Sequence, residues 1–79
     1  MKLPRDLDAA ELIRALQRIG YKVVRQSGSH IRLHCDEPAH ALTVPNHRPL
    51  RVGTLAAILA DVAAQRAISR DELMQGLGL

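Results

Sequence analysis

The chain holds one cysteine, one tyrosine, no tryptophan and no phenylalanine in 79 residues. A single cysteine rules out an intrachain disulfide, and nothing asks for an oxidising compartment. A single aromatic argues against the several-ring stacking platform on which RRM-like and OB-like domains hold single-stranded bases. No apolar run approaches the roughly 20 residues that span a bilayer. The opening Met1-Lys2-Leu3-Pro4-Arg5-Asp6 lacks the apolar stretch of a signal peptide. The expectation is a cytoplasmic protein with no membrane partner. No paired carboxylates stand at catalytic spacing, and no glycine-rich phosphate loop precedes a helix, so no small-molecule cofactor is expected.

What is present suits a globular chain: 47% of residues are hydrophobic and 24% charged. With no repeat, low-complexity tract or linker, residues 1–79 read as one domain around a modest core. A domain of this size buries only about 60% of its unfolded surface, so its stability margin is thin. The net charge is +3, and nine of the 11 cations are arginine. Arginine suits bidentate phosphate contacts, which puts nucleic acid first among acidic partners. An ordinary solvated surface explains the same composition equally well.

Periodicity gives the element order. Asp8 with Glu11 three residues on has the form of a capping box. Leu12, Ile13, Leu16 and Ile19 then share one helical face, and Gly20 supplies a stop, so a helix is expected over residues 9–19. Tyr21 to Gln26 is rich in β-formers and leads into the turn composition Ser27-Gly28-Ser29. From His30 the pattern alternates: Ile31, Leu33 and Cys35 face one way, His30, Arg32 and His34 the other. Residues 36–40 carry Pro38 and read as a loop, and Ala41 to Val44 as a third strand with Leu42 and Val44 on the apolar face. After an irregular stretch from Pro45 to Gly53, Thr54 is the expected cap of a second helix, with core stripe Leu55, Ile58, Leu59 and Val62. Ser69 with Glu72 opens a short last helix. The fold class is α+β: a three-stranded antiparallel meander with helices on one face. The other face, bearing His30, Arg32 and His34, stays open.

His30 is the candidate proton carrier. It enters a strand behind Gly28, which permits positive φ and close approach of another chain, and Ser29 is placed to orient its ring. An imidazole exchanges protons near neutral pH. RNA brings its own nucleophile, the 2′-hydroxyl, so cleavage needs proton transfer and phosphate stabilisation rather than a protein nucleophile. Composition alone favours the plainer reading, an exposed strand histidine with no task. Arg32 is a candidate phosphate contact, and it also reads as an ordinary solvated strand cation. His34 lies four strand residues from His30, roughly 13 Å, too far for the two rings to share one zinc. No metal site is expected. His40 falls in the expected loop and is assigned no role. His47, in Pro45-Asn46-His47, is open to three readings: second proton carrier, substrate contact or loop-folding residue. Cys35 alternates onto the core face and reads as a small buried hydrophobe.

Several segments together resemble the HicA (YcfA-like) family, the RNA-cleaving halves of HicBA toxin–antitoxin systems. They are Leu12 to Tyr21 (LIRALQRIGY), Arg25 to Arg32 (RQSGSHIR), Thr43 to His47 (TVPNH), Leu50 to Leu59 (LRVGTLAAIL) and the later ISRDEL. The resemblance runs from about Pro4 to Leu73. It implies a double-stranded-RNA-binding-like α-β-β-β-α fold, here with a short C-terminal helix. It also implies metal-independent mRNA cleavage, with the histidine of the Gly-Ser-His segment, His30, as catalytic residue. Gly28, Ser29, Arg25, Arg32 and His47 are then the expected substrate contacts, and a HicB-type antitoxin the expected protein partner. One departure is the stretch at Asp36-Glu37-Pro38, which adds acid near the expected RNA face. Two other readings stay open: a non-catalytic RNA-binding module, and a protein-interaction domain using the open sheet.

Overall fold

A computed structural model describes residues 3–79; Met1 and Lys2, which begin the polar opening stretch, lie outside it. The elements are α1 (Ala9–Arg18), β1 (Tyr21–Ser27), β2 (His30–Asp36), β3 (Ala39–Pro45), α2 (Val52–Gln65) and α3 (Arg70–Leu77). The three strands form one antiparallel sheet in the order β1-β2-β3. This is the α+β architecture expected from the periodicity, with its three-stranded antiparallel sheet and short last helix.

Alternation decides which face is covered. On β2, Ile31, Leu33 and Cys35 are buried while His30, Arg32, His34 and Asp36 are exposed. Leu42 and Val44 of β3 join the buried side. Against them pack Leu12 and Leu16 of α1, Leu55, Leu59 and Val62 of α2, and Leu73, Met74 and Leu77 of α3. Burying such a side chain contributes about 1.5–3 kcal/mol, so the helices hold to this face and leave the other to solvent.

The end signals act largely as the sequence suggests. Glu11 Oε1 accepts from the Asp8 N–H at 3.3 Å, and Ser69 and Glu72 exchange both bonds of their capping box. Gly20 ends α1 with φ +107°. Each strand runs one residue further than expected, to Ser27, Asp36 and Pro45, and three starts or stops differ more tellingly. The first helix stops at Arg18, with Ile19 as its cap. The second begins at Val52, two residues before Thr54, with Arg51 in the cap position. Its start is set by tertiary anchoring: the Leu50 N–H bonds the Leu7 carbonyl at 2.8 Å, Leu50 is buried, and the Arg51 carbonyl accepts the first helical bond from Leu55. The third strand begins at Ala39, so His40 is a strand residue opposite Cys35 and not part of a loop; only Glu37 and Pro38 turn the chain.

His40 also has partners. Its Nδ1 lies 2.6 Å from the Tyr21 hydroxyl and its Nε2 3.1 Å from Asp61 Oδ2. Tyr21 is buried, and the Arg66 guanidinium sits 5.7 Å from its ring centroid. Arg66 donates in turn to the Ile19 carbonyl at 2.7 Å. The chain Tyr21–His40–Asp61 thus ties both edge strands to α2 at the end of the sheet away from the Gly28-Ser29 turn.

Candidate RNA-cleavage site

The strand-entry turn is a two-residue hairpin, Gly28-Ser29, closed by the pair Ser27–His30. Gly28 has φ +58° and Ser29 is not in the left-handed region, as a type II′ turn requires. The turn is joined to the segment after β3, because the Asn46 N–H donates to the Ser29 carbonyl at 2.6 Å. His47 continues that segment: its N–H bonds the Pro45 carbonyl at 2.9 Å, and its own carbonyl accepts from Ala9 at 3.2 Å. The Pro45-Asn46-His47 loop therefore lies at the His30 end of the sheet, and its backbone links the hairpin to the start of α1.

The face of β1 is settled by a β-bulge. Tyr21, Lys22 and Val23 pair with Cys35, His34 and Leu33, but the register then shifts so that Arg25 pairs with Arg32. Val24 is the extra residue. A strand's side chains alternate with period 2, so one inserted residue moves everything beyond it to the opposite face. Unbroken alternation from Tyr21 would have turned Arg25 and Ser27 toward the helices. The bulge turns them to the open face instead.

That face is built of cross-strand rungs. Ser27, His30 and Pro45 make the first, and Arg25, Arg32 and Thr43 the second. Arg25, Ser27, His30, Arg32 and Thr43 line a concavity of about 220 Å³. Arg32 Nη1 donates to Thr43 Oγ1 at 3.0 Å, which holds one side of the guanidinium, and the other donors have no partner among the described residues. The side chains of Arg25 and His30 are exposed and make no hydrogen bond to another described residue. Two guanidinium groups directly opposite one another across a ladder repel. No carboxylate lines the concavity to offset them.

The family assignment meets this geometry directly. A family model described as the HicA toxin of bacterial toxin–antitoxin systems matches residues 9–63. The chain belongs to the HicA toxin family. No curated relative and no solved structure matches it. The stretch matched to the HicA family runs from the first residue of α1 into α2, so it contains the sheet and every residue of the concavity. The toxin half of a toxin–antitoxin pair is thereby its role.

Of the residues singled out in the sequence, Arg25, His30 and Arg32 are brought together around this concavity. Gly28 and Ser29 form the turn at its end. His47 lies close by in sequence and backbone contact but is not among the lining residues, and its imidazole has no hydrogen-bonding partner among the described residues. The sequence pattern does not single out Ser27 or Thr43 as site residues. Thr43 was recoverable as the polar position between Leu42 and Val44; Ser27 depended on the bulge, for which two consecutive valines give no distinct signal. Among the described residues no three His, Cys, Asp or Glu side chains gather as a metal-binding group.

Proposed function

We propose that the chain is an endoribonuclease that cleaves mRNA at the Arg25–Arg32 concavity, with His30 as its proton carrier. The observation that carries this reading is the opposed pair Arg25 and Arg32, beside His30 and without a carboxylate. An unneutralised pair of arginines invites a dianionic or transition-state phosphate, for which planar guanidinium forks are matched donors.

In the reaction the 2′-oxygen attacks the adjacent phosphorus and the bond to the 5′-oxygen breaks. The products are a 2′,3′-cyclic phosphate and a 5′-hydroxyl. His30 accepts the 2′-hydroxyl proton, and the protonated ring supplies the proton needed by the departing 5′-oxygen. Arg25 and Arg32 stabilise the charge that builds on the non-bridging oxygens; the bond to Thr43 holds Arg32 in place beforehand, so less reorganisation is needed during reaction. Gly28, without a side chain, lets the RNA backbone approach the turn, and Ser29 and His47 border the path by which it enters. A HicB-type antitoxin would silence such a toxin by covering this face.

Purified protein and its His30→Ala variant, incubated with an end-labelled transcript, test the reading. A positioned acid/base accounts for about 10²–10⁴-fold in rate, so cleavage by the variant should fall by that factor while RNA affinity holds. Undiminished cleavage would remove His30 from the mechanism. A parent protein that retards the transcript without shortening it would instead be a binding module.

A further inference from the structure

We propose that the open sheet face carries a second phosphate site, made by Lys22 and His34, so that two consecutive phosphates of one RNA strand are gripped and Asp36 ends the track. This rests on the reading of the Arg25–Arg32 concavity as an RNA site. Lys22 pairs with His34, and His34 with Ala41, forming the next rung beyond Arg25, Arg32 and Thr43. All three strands therefore turn this rung to the face of His30. From Arg32 to His34 is two strand residues, about 6.7 Å, comparable to the separation of neighbouring phosphates along an extended RNA strand.

The side chains on this rung are free to act. The Lys22 and His34 side chains are exposed, and neither has a hydrogen bond or ion pair to another described residue. On β3 the rung ends in Ala41, which adds only a methyl group beside His34. The next position on this face is Asp36, opposite Ala39. Its exposed carboxylate would repel a third phosphate. The track thus has a catalytic position between Arg25 and Arg32, an anchoring position at Lys22 and His34, and an acidic end. With the one tyrosine buried on the other side of the sheet, no phenyl, phenol or indole ring is offered for base stacking on this face, so grip on the backbone would carry most of the affinity.

The test is binding of a short single-stranded RNA to the His30→Ala protein, followed by fluorescence anisotropy across a salt series. Each phosphate contact on a single strand contributes about 0.7 to the slope of log affinity against log salt. Lys22→Gln combined with His34→Gln should lower that slope by about 0.7 and weaken binding about fivefold at 0.1 M salt. Lys22→Arg should restore the loss in the presence of native His34. Asp36→Asn should tighten binding to longer strands and steepen the slope. The second site is overturned if the Lys22/His34 double variant keeps the parental slope while Arg25→Gln lowers it. Absence of any salt-dependent RNA binding by the His30→Ala protein, and of cleavage by the parent, overturns the RNA reading itself.

Discussion

Removing one oxygen atom, in Tyr21→Phe, isolates the hydrogen bond that fixes the far end of the sheet. The ring stays, with its packing in the core and the Arg66 guanidinium over its face; the 2.6 Å link to His40 Nδ1 is lost, and with it the weaker interaction of the hydroxyl with Arg66. A neutral hydrogen bond contributes about 0.5–1.5 kcal/mol net, and a buried partner left unsatisfied costs about 1–3 kcal/mol. The His40 side chain is only 8% exposed, so water replaces the phenol poorly. The two effects overlap, and the expected loss is about 1–2 kcal/mol, read as a lower urea midpoint at unchanged m-value. For a domain of this length each kcal/mol moves the melting midpoint by about 4–8 °C. Asp61→Asn makes an internal contrast: Asp61 is 53% exposed, and a hydrogen bond to a carboxylate so open to solvent is worth about 0–1 kcal/mol. RNA cleavage should be unchanged in both, because Tyr21 stands opposite Cys35, five β2 residues from His30, about 17 Å. Tyr21→Phe within 0.3 kcal/mol of the parent, or no more costly than Asp61→Asn, would refute this ordering by burial.

Two further outcomes follow from the backbone and from the same phenol. Burial pushes the Tyr21 hydroxyl above its ordinary 10.0, with Arg66 partly offsetting the rise; as the only tyrosine, it can be titrated alone by ultraviolet absorbance. The folded state then keeps its proton to a higher pH than the unfolded chain does, so this contribution to stability is complete below pH 10 and disappears as pH rises through the folded value. Tyr21→Phe should flatten that alkaline decline, and a folded-state midpoint at or below 10 would contradict it. Gly28→Ala should cost about 1–2 kcal/mol, the penalty of left-handed backbone for a residue with a Cβ. Nothing lies within 4 Å of the added methyl, so the cost is conformational, and a melting midpoint equal to the parent's would show that the turn relaxes.

Much of this molecule can be read before it is seen. The alternation from His30 to Cys35 fixes both faces of β2, and one buried face is enough to set the register of the strand beside it. The helical stripes at Leu12, Leu16 and Leu55, Leu59 give α1 and α2 because apolar spacing near 3.6 has no competing strand reading. Where the reading fails, a distant contact outweighs a local signal. Leu50, held against Leu7, starts α2 ahead of the Thr54 cap; the Tyr21 hydroxyl and Asp61 draw His40 into a strand that Pro38 seemed to forbid. The site is legible through His30 and Arg32, which sit on the strand whose pattern is unbroken. Arg25 shares their face only through the bulge at Val24, and its place opposite Arg32 is a property of the paired strands rather than of either one.

The burial of β1 bears on how this site moves. Of its seven residues only Tyr21 is buried, and Val23 and Val24 remain 42% and 52% exposed. The strand is an edge, fastened at one end by the tyrosine and at the other by the hairpin turn. Elements with so few buried apolar contacts open locally at a small fraction of the global unfolding free energy. Fraying of β1 would carry Arg25 and Ser27 away from Arg32 and His30 while β2, β3 and the helices stay folded. The proposed phosphate site would thus assemble and disperse in a fluctuation far cheaper than unfolding. Amide hydrogens of β1 that point into β2 should exchange well before those shared by β2 and β3, and bound RNA should slow them.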